Sequence, residues 1–218
     1  MEHLDQLIQT IALSMGAAWA SGINLYAAIL TLGVLGATGN MILPPGLEVL
    51  SDPMVIFAAG AMYFIEFFAD KTPGVDTGWD TIHTFIRIPA GAVLAAGAIG
   101  EVGPALSIAV GLVGGGLAAG THLTKSGSRI MINTSPEPFS NWFASLGEDV
   151  LVIAGLWTAL HSPWIFVGGL ILFILLMVWL LPKIWRGVKA VLNAVARLFR
   201  KQPLQLPPPE SGGGDVGG

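Results

Sequence analysis

Side chains that could carry chemistry are concentrated in two stretches of the chain, residues 66–92 and 122–149. Ten of them are candidates for binding a substrate or an ion: Glu66, Asp70, Asp80, His83, Arg87, His122, Lys125, Arg129, Glu148 and Asp149. Carboxylates can hold protons or cations, and arginine and lysine can neutralise those carboxylates or bind an anionic group. Histidine takes up and releases protons near neutral pH. This mixture makes a secondary transporter or permease the leading hypothesis.

The spacing of these residues places several of them on common helix faces. Glu66 and Asp70 are four residues apart, and Asp80 and His83 are three apart, so the members of each pair share a face of a helix. Pro89 is expected to open its helix, because proline removes one backbone hydrogen bond. Together these features predict a polar cavity that opens toward the cytoplasm.

A second hypothesis is an intramembrane, metal-dependent enzyme that acts on lipid headgroups. Its ligands would be carboxylate oxygens and an imidazole, which suit a divalent metal. The candidate ligands are Glu66, Asp70, Asp76, Asp80 and His83. No HExxH motif and no serine or cysteine nucleophile is evident, so the sequence favours a protein that is not an enzyme. It shows no cofactor motif, and the metal site is left open.

A third hypothesis is a membrane assembly or scaffold protein without turnover, in which charged residues only lock the helices together. The ion pairs would be Asp70 with Lys71, Asp80 with Arg87, and Lys125 and Arg129 with Glu148. The number of carboxylates, histidines and cations at one depth exceeds what membrane topology requires. That excess favours a functional site over a purely structural one.

The composition indicates the elements that must position these residues. Hydrophobic residues make up 53% of the 218 residues and charged residues 11%, and the mean hydropathy is +0.72. Soluble domains carry about 25% charged residues, so this chain is predicted to be a polytopic α-helical integral membrane protein. Six spans of the length a bilayer requires are predicted at about 6–38, 53–70, 80–100, 104–125, 142–160 and 163–182.

Charged side chains lie well inside these spans. At a helix rise of about 1.5 Å per residue, Arg87 and Glu148 lie roughly 10 Å inside theirs. An ionised residue at the centre of a bilayer costs ~2.5–3.5 kcal/mol even on the lenient insertion scale. We therefore expect these side chains to face one another or water.

The first predicted span is long enough to be one tilted helix or a broken one. Ser21, Gly22 and Asn24 lie near its middle. Small and polar residues there permit either close helix packing or a local unwinding. Close packing is favoured, and a break at Gly22 or Asn24 is the alternative.

The distribution of basic residues predicts the orientation of the chain. With six spans, all 10 Lys and Arg residues fall on the side that holds both termini. The connections at 39–52, 101–103 and 161–162 contain none of them. The positive-inside rule therefore places both termini in the cytoplasm, and we expect a multi-pass protein of the inner (plasma) membrane.

Three regions follow from this organisation: a transmembrane domain at 1–182, a basic amphipathic helix at 183–201 and a disordered tail at 202–218. The basic helix is expected to lie on the membrane surface and bind anionic lipid headgroups. The tail is rich in Pro and Gly, which is typical of disorder. The bilayer is thus the main expected partner, and nucleic acid is not expected. A homo-oligomer is possible, because glycines such as Gly111 and Gly115 allow close packing between chains as well as within one chain.

The two polar stretches are also similar to each other and to a known family. Pro73 and Trp79 are separated as Pro136 and Trp142 are, which predicts a weak parallel repeat of two hairpins. The strings from Glu66 to Ala92 and from Ser135 to Asn141 resemble the signature blocks of the bacterial membrane family called domain of unknown function 4126. The resemblance runs from about Ala17 to Lys189 and implies a membrane architecture without an established activity.

Overall fold

The computed structural model describes residues 1–72, 74–134 and 138–199, and in these ranges the regular structure is helical throughout. The elements are α1 Glu2–Ala37, a 3₁₀ helix Pro45–Ser51, α2 Pro53–Ala69, α3 Val75–Ala98, α4 Pro104–Ile132, α5 Pro138–His161 and α6 Pro163–Phe199. The predicted all-α class is therefore confirmed. The tail predicted to be disordered at 202–218 lies outside the described residues.

Five helices are long and apolar enough to cross a membrane on their own: α1, α3, α4, α5 and α6. The 3₁₀ helix and α2 meet at 69° and count as a sixth span if the bent pair crosses together. Large apolar side chains such as Phe57, Phe85 and Leu112 are exposed on the outer faces, as expected where a helix surface meets lipid. The described residues thus provide five helices able to span a membrane, or six spans if the bent pair counts as one.

Helix α1 lies at the centre and packs against each of the other five α-helices. Small buried residues such as Ala17 and Ala18 allow this close approach. At Gly22, an added Cβ would lie 2.5 Å from the carbonyl oxygen of Ala118 and 2.7 Å from Cβ of Thr121. The close packing predicted at this point of the first span is confirmed.

Helix α1 is also interrupted, two residues further on, at Asn24. Its backbone angles, φ −146° and ψ 99°, are extended rather than helical. The N–H of Ala27 donates to Oδ1 of Asn24 at 2.9 Å, although in a regular helix it would donate to the carbonyl of Ile23. The carbonyl of Ile23 is thereby free to accept a hydrogen bond from another part of the molecule.

Helix α3 does not end at Pro89, where the sequence predicted an opening. It continues as one element from Val75 to Ala98. Neighbouring helices can satisfy backbone groups around a proline inside a membrane helix, and here the hydroxyl of Ser21 donates to the carbonyl of Arg87 at 2.9 Å. The interruption that shapes the site is therefore in α1, at Asn24, and not in α3.

Helix α4 carries the glycine-rich face. A Cβ at Gly114 would collide with Ala95 of α3, and one at Gly115 would lie 3.2 Å from Cβ of Ala92. These glycines therefore pack inside the chain rather than being free for a second copy. Gly116 faces open space.

Helix α6 runs through Pro182 to Phe199 as one helix. Beyond Pro182, Ile184 and Val188 are buried, whereas Lys183 and Lys189 are exposed. Ile184 and Val188 pack near Gly127 of α4, so part of the apolar face covers another helix. The membrane-surface position of 183–201 stays a prediction.

The two hairpins, α2–α3 and α4–α5, match in their second helices but not in their first, since α2 has 17 residues and α4 has 29. Helices α3 and α5 both have 24 residues, and the connections before them, 70–74 and 133–137, are of equal length. The preceding helices end alike: the N–H of Asp70 donates to Glu66 and that of Asn133 to Arg129, each at 2.8 Å. The internal repeat stays a prediction.

Candidate functional site: a buried ion-pair network

Seven of the ten candidate residues form one connected set of ion pairs, which we call the network. It consists of Glu66, Asp70, Asp80 and Glu148 with Arg87, Lys125 and Arg129. The side chains come from α2 and its C-terminal cap, α3, α4 and α5. Six of them are at most 3% exposed, and only Glu148 reaches 19%. The network is thus nearly closed to solvent.

Arg87 occupies one end of the network. Its Nη2 pairs with Glu66, and its Nη1 donates to Oδ1 of Asp80 at 3.0 Å. Nη1 also lies 3.2 Å from Nδ1 of His122. Because a guanidinium can only donate, Nδ1 must accept, and the ring proton is on Nε2, which lies 2.7 Å from Oγ1 of Thr84 and 3.1 Å from the carbonyl oxygen of Asp80. His122 is therefore a neutral imidazole that holds Arg87 in place.

Lys125 lies at the centre of the network, with five oxygen atoms around its Nζ. They are Asp70 Oδ2 at 2.9 Å, the carbonyl oxygen of Ile23 at 3.1 Å, Glu148 Oε2 at 3.4 Å, Glu66 Oε1 at 3.5 Å and Asp80 Oδ1 at 3.6 Å. The carbonyl of Ile23 is the one released by the break in α1. The interruption at Asn24 therefore supplies a ligand to the central cation.

Arg129 occupies the other end. Its Nε and Nη2 reach the two carboxylate oxygens of Glu148 at 3.1 and 2.7 Å, a bidentate pair. Its Nη1 donates to the carbonyl oxygens of Asp70 at 3.0 Å and Asn141 at 3.1 Å. Such forked pairs are stronger and more directional than single ones. Arg129 thereby fastens the end of α2 to α5.

Two further candidates, His83 and Asp149, lie outside the network. His83 has Nε2 3.0 Å from the Tyr26 hydroxyl and Nδ1 2.9 Å from the carbonyl oxygen of Trp79, and it stacks on the Trp79 ring at 4.2 Å. Asp149 accepts from Nδ2 of Asn24 at 3.1 Å. It forms no ion pair with a described Lys or Arg.

Of the five residues considered as metal ligands, Glu66, Asp70 and Asp80 meet around Lys125, and the other two lie elsewhere. Asp76 accepts from Nδ2 of Asn133 with both oxygens at 2.9 Å and from the N–H of Gly74 at 2.8 Å. Asp76 therefore lies in a polar cluster outside the network. His83 also lies outside the network, with other partners. In the part of the chain that the structure describes, no three His, Asp or Glu side chains form a group that could hold a metal ion.

Comparison with known proteins identifies the family of this chain. A sequence profile of one family, described as Domain of unknown function (DUF4126), matches residues 11–183. The chain belongs to this family. No curated protein and no solved structure gives a match.

Among the described residues of this DUF4126 chain, the network is nearly closed to solvent, which differs from the polar cavity predicted from the sequence. Cavities of about 340 and 400 Å³ lie elsewhere and have apolar linings. The first is bordered by Trp19 and Phe166, and the second by Leu123 and Trp185. The charged side chains instead pack against one another, because each carboxylate finds a cation on a neighbouring helix.

One buried cation of this DUF4126 chain, Lys71, was not among the candidate site residues and entered the sequence analysis only as an ion-pair partner. The scaffold hypothesis paired it with its neighbour Asp70, but Asp70 pairs with Lys125 instead. Nζ of Lys71 donates to Oγ of Ser145 at 3.1 Å and lies 2.9 Å from the centre of the Phe67 ring. Burial lowers the pKa of Lys71, although Asp149 opposes that shift. The aromatic residue four positions before the lysine was the available signal.

Proposed function

We propose that this chain is a membrane transporter whose network binds and releases a proton or a cation. One observation carries the proposal. Among the described residues, four carboxylates face only three cations in the network, and six of the seven side chains are at most 3% exposed. Full ionisation would therefore leave one negative charge without a cation in a network that is nearly closed to solvent.

Such a charge is costly enough to require a partner. The effective penalty for burying an ion is several kcal/mol, and a buried group avoids it by taking up a proton or a counterion. Glu66 Oε2, Asp70 Oδ1 and Asp80 Oδ2 are buried and have no hydrogen-bond partner among the described residues. Any of them could hold the proton or contact the cation.

The break in α1 supports the same function. Ion sites of many secondary transporters lie where a membrane helix is discontinuous, because the unwound backbone offers free carbonyl groups. Here the carbonyl of Ile23 reaches Lys125, and the side chain of Asn24 reaches Asp149. A change in the charge of the network would therefore act directly on the central helix.

The test is flux through the purified protein in proteoliposomes under imposed proton and cation gradients. Wild type should show flux, and Asp80→Asn and Glu148→Gln should each lose it, because each changes the charge that the network must balance. Glu48→Gln is the control, since Glu48 is exposed in the 3₁₀ helix, outside the network. Wild-type flux in both network variants would remove the site from the proposal.

A non-catalytic scaffold is the second candidate, and the closure of the network favours it. The single side chain of Arg129 connects α4 both to the end of α2 and to α5. If that is the whole role, the network variants should lose stability while wild type shows no flux under any gradient. A metal-dependent enzyme has no comparable support, because the described residues provide no ligand group.

We also propose that the protein lies in the inner membrane with both termini in the cytoplasm. The one-sided distribution of Lys and Arg supports this orientation. The exposed Lys183, Arg186 and Lys189 would then meet anionic headgroups of the inner leaflet. Thermal stability in nanodiscs should rise when phosphatidylglycerol replaces phosphatidylcholine, and this rise should shrink when all three are changed to glutamine.

A further inference from the structure

We infer that the ion handled by the network is a proton, and that Glu148 is the residue that takes it up and releases it. The inference rests on the proposed function and deepens it by naming the ion and its point of entry. Among the described residues of the network, Glu148 alone has more than 3% of its side chain exposed, at 19%. The buried oxygens without a partner, on Glu66, Asp70 and Asp80, have no such access.

The centre of the network favours a proton over a metal ion. Nζ of Lys125 already lies there, within 3.6 Å of an oxygen of each of the four network carboxylates. A metal ion bound to these oxygens would lie beside this ammonium, and like charges repel strongly where water is excluded. A proton adds one positive charge directly on a carboxylate oxygen. It therefore removes the excess negative charge without a second cation beside Lys125.

The step is a single protonation. A hydronium ion gives its proton to a carboxylate oxygen of Glu148 and leaves as water, and an O–H bond forms on Glu148. The network then has three ionised carboxylates against three cations, so its one excess negative charge is removed. Release of the proton reverses the step.

The two cations that pair with Glu148 each have another carboxylate nearby. Nη2 of Arg129 lies 2.7 Å from Glu148 and 3.9 Å from Oδ2 of Asp70. Nζ of Lys125 lies 3.4 Å from Glu148 and 2.9 Å from the same oxygen of Asp70. Protonation of Glu148 therefore leaves neither buried cation without a partner. The charged groups that surround Glu148 are Lys125 and Arg129 of α4, Asp70 and Lys71 at the end of α2, and Asp80 and Arg87 of α3.

Proton uptake at Glu148 would also act on the packing of α5. The bidentate pair with Arg129 connects α5 to α4, and it loses its charge when Glu148 is protonated. The next residue of α5, Asp149, accepts a hydrogen bond from Asn24 at the break in α1. Glu148 is thus one residue away from the contact that holds the break, and a shift of α5 would reach the central helix.

The first test uses wild-type protein and dicyclohexylcarbodiimide, a lipid-soluble reagent that attacks protonated carboxyl groups. Mass spectrometry of peptides should find the adduct on Glu148 and not on Glu66 or Asp80. Labelling should fall as the pH rises, in the limit by about tenfold per pH unit, because only the protonated acid reacts. The control is Glu148→Gln, which should lose the adduct. Absence of label from Glu148 in wild type, or labelling that does not depend on pH, would overturn the inference.

A matched pair of double variants separates the point of entry from the charge count. Glu148→Gln with Arg129→Met, and Glu66→Gln with Arg87→Met, each leave three carboxylates against two cations, the same excess as wild type, but only the second pair keeps Glu148. After transfer to heavy water, the carboxylic acid C=O band in the infrared should shift as fast in the second pair as in wild type. In the first pair it should shift at least about tenfold more slowly, because exchange then requires local opening of the protein. Equal rates in the two double variants would overturn the inference, and if the first does not fold, the labelling of wild type decides.

The results also separate the proton site from transport. Labelling of Glu148 that depends on pH, in a protein that shows no flux in proteoliposomes, would support the proton site and reject transport. Flux driven by sodium or potassium gradients alone, with Glu148 unlabelled, would support transport and overturn the assignment of the proton and of Glu148.

Discussion

Replacement of Arg87 by methionine should destabilise the protein far more than replacement of its partner Glu66 by glutamine. The two side chains are paired and 0% exposed. Arg87→Met leaves four carboxylates against two cations, so the network carries two excess negative charges. Glu66→Gln leaves three carboxylates against three cations and makes the network neutral. The two variants remove opposite partners of one ion pair, but Arg87→Met makes the net charge of the network more negative and Glu66→Gln makes it less negative.

The magnitudes follow from burial. Removal of one partner from a buried ion pair costs ~3–5 kcal/mol, because the other charge is left uncompensated, and Arg87→Met should fall in that range. For Glu66→Gln, which retains a hydrogen-bond acceptor and removes the excess charge, we expect about 1 kcal/mol or less. The double variant has the net charge of wild type. Its cost should be smaller than the sum of the single costs by ~1–3 kcal/mol.

The assay is equilibrium unfolding in mixed micelles by titration with sodium dodecyl sulfate, followed by circular dichroism. Arg186→Met is the control, because Arg186 is exposed on α6 and should change stability by about 0.5 kcal/mol or less. Equal costs for Arg87→Met and Glu66→Gln, or a double variant whose cost is the simple sum, would refute the charge count.

Three further predictions concern packing, the helix break and orientation. Gly22→Ala should destabilise the protein by ~1–3 kcal/mol in the same assay, because its Cβ would lie 2.5 Å from the backbone of α4. Gly116→Ala should be nearly neutral, because nothing lies close to that position, and equal effects of the two variants would contradict the packing. Asn24→Ala should cost ~1–3 kcal/mol, because it removes the hydrogen bonds of Asn24 to the N–H of Ala27 and to Asp149 of α5; no loss of stability would contradict that role. Since the chain has no cysteine, a membrane-impermeant maleimide added to cells should label Asn40→Cys, on the outer side, and not Thr72→Cys, on the cytoplasmic side. The reverse pattern would show that the orientation is opposite to the predicted one.

Much of the architecture could be predicted because it depends on local sequence. Apolar runs long enough to cross a bilayer gave the helical membrane class, and the long polar strings gave the family. Which residues form the network could also be predicted in part, since charged side chains inside a membrane must contact one another. Arg87, Lys125 and Glu148 could be placed in one cluster on that argument alone.

The partners within the network could not be predicted, because they depend on packing between distant helices. Asp70 and Lys71 are adjacent in sequence, yet Asp70 pairs with Lys125 of α4 and Lys71 contacts Ser145 of α5. His83 shares a helix face with Asp80 but is held away from the network by Tyr26. Helical spacing determines a face, and the neighbouring helix determines what that face meets.

The position of the helix break shows the same limit. A polar residue in the middle of the first span signalled either packing or unwinding, and the structure has both, at Gly22 and Asn24. The break at Asn24 is held by Lys125 and Asp149, which lie on other helices. Pro89, the stronger local signal, lies within an uninterrupted helix.

The central claim is that the network carries one excess negative charge and neutralises it with a proton or a cation. Infrared spectroscopy of protein purified with choline as the only small cation tests it most directly, since a protonated carboxylic acid has its own deuterium-sensitive C=O band. Wild type should show this band, and Glu66→Gln and Asp80→Asn should each lose it, because either change makes the network neutral. A band that persists in both variants, or no band in a wild-type protein that binds no cation, would contradict the account.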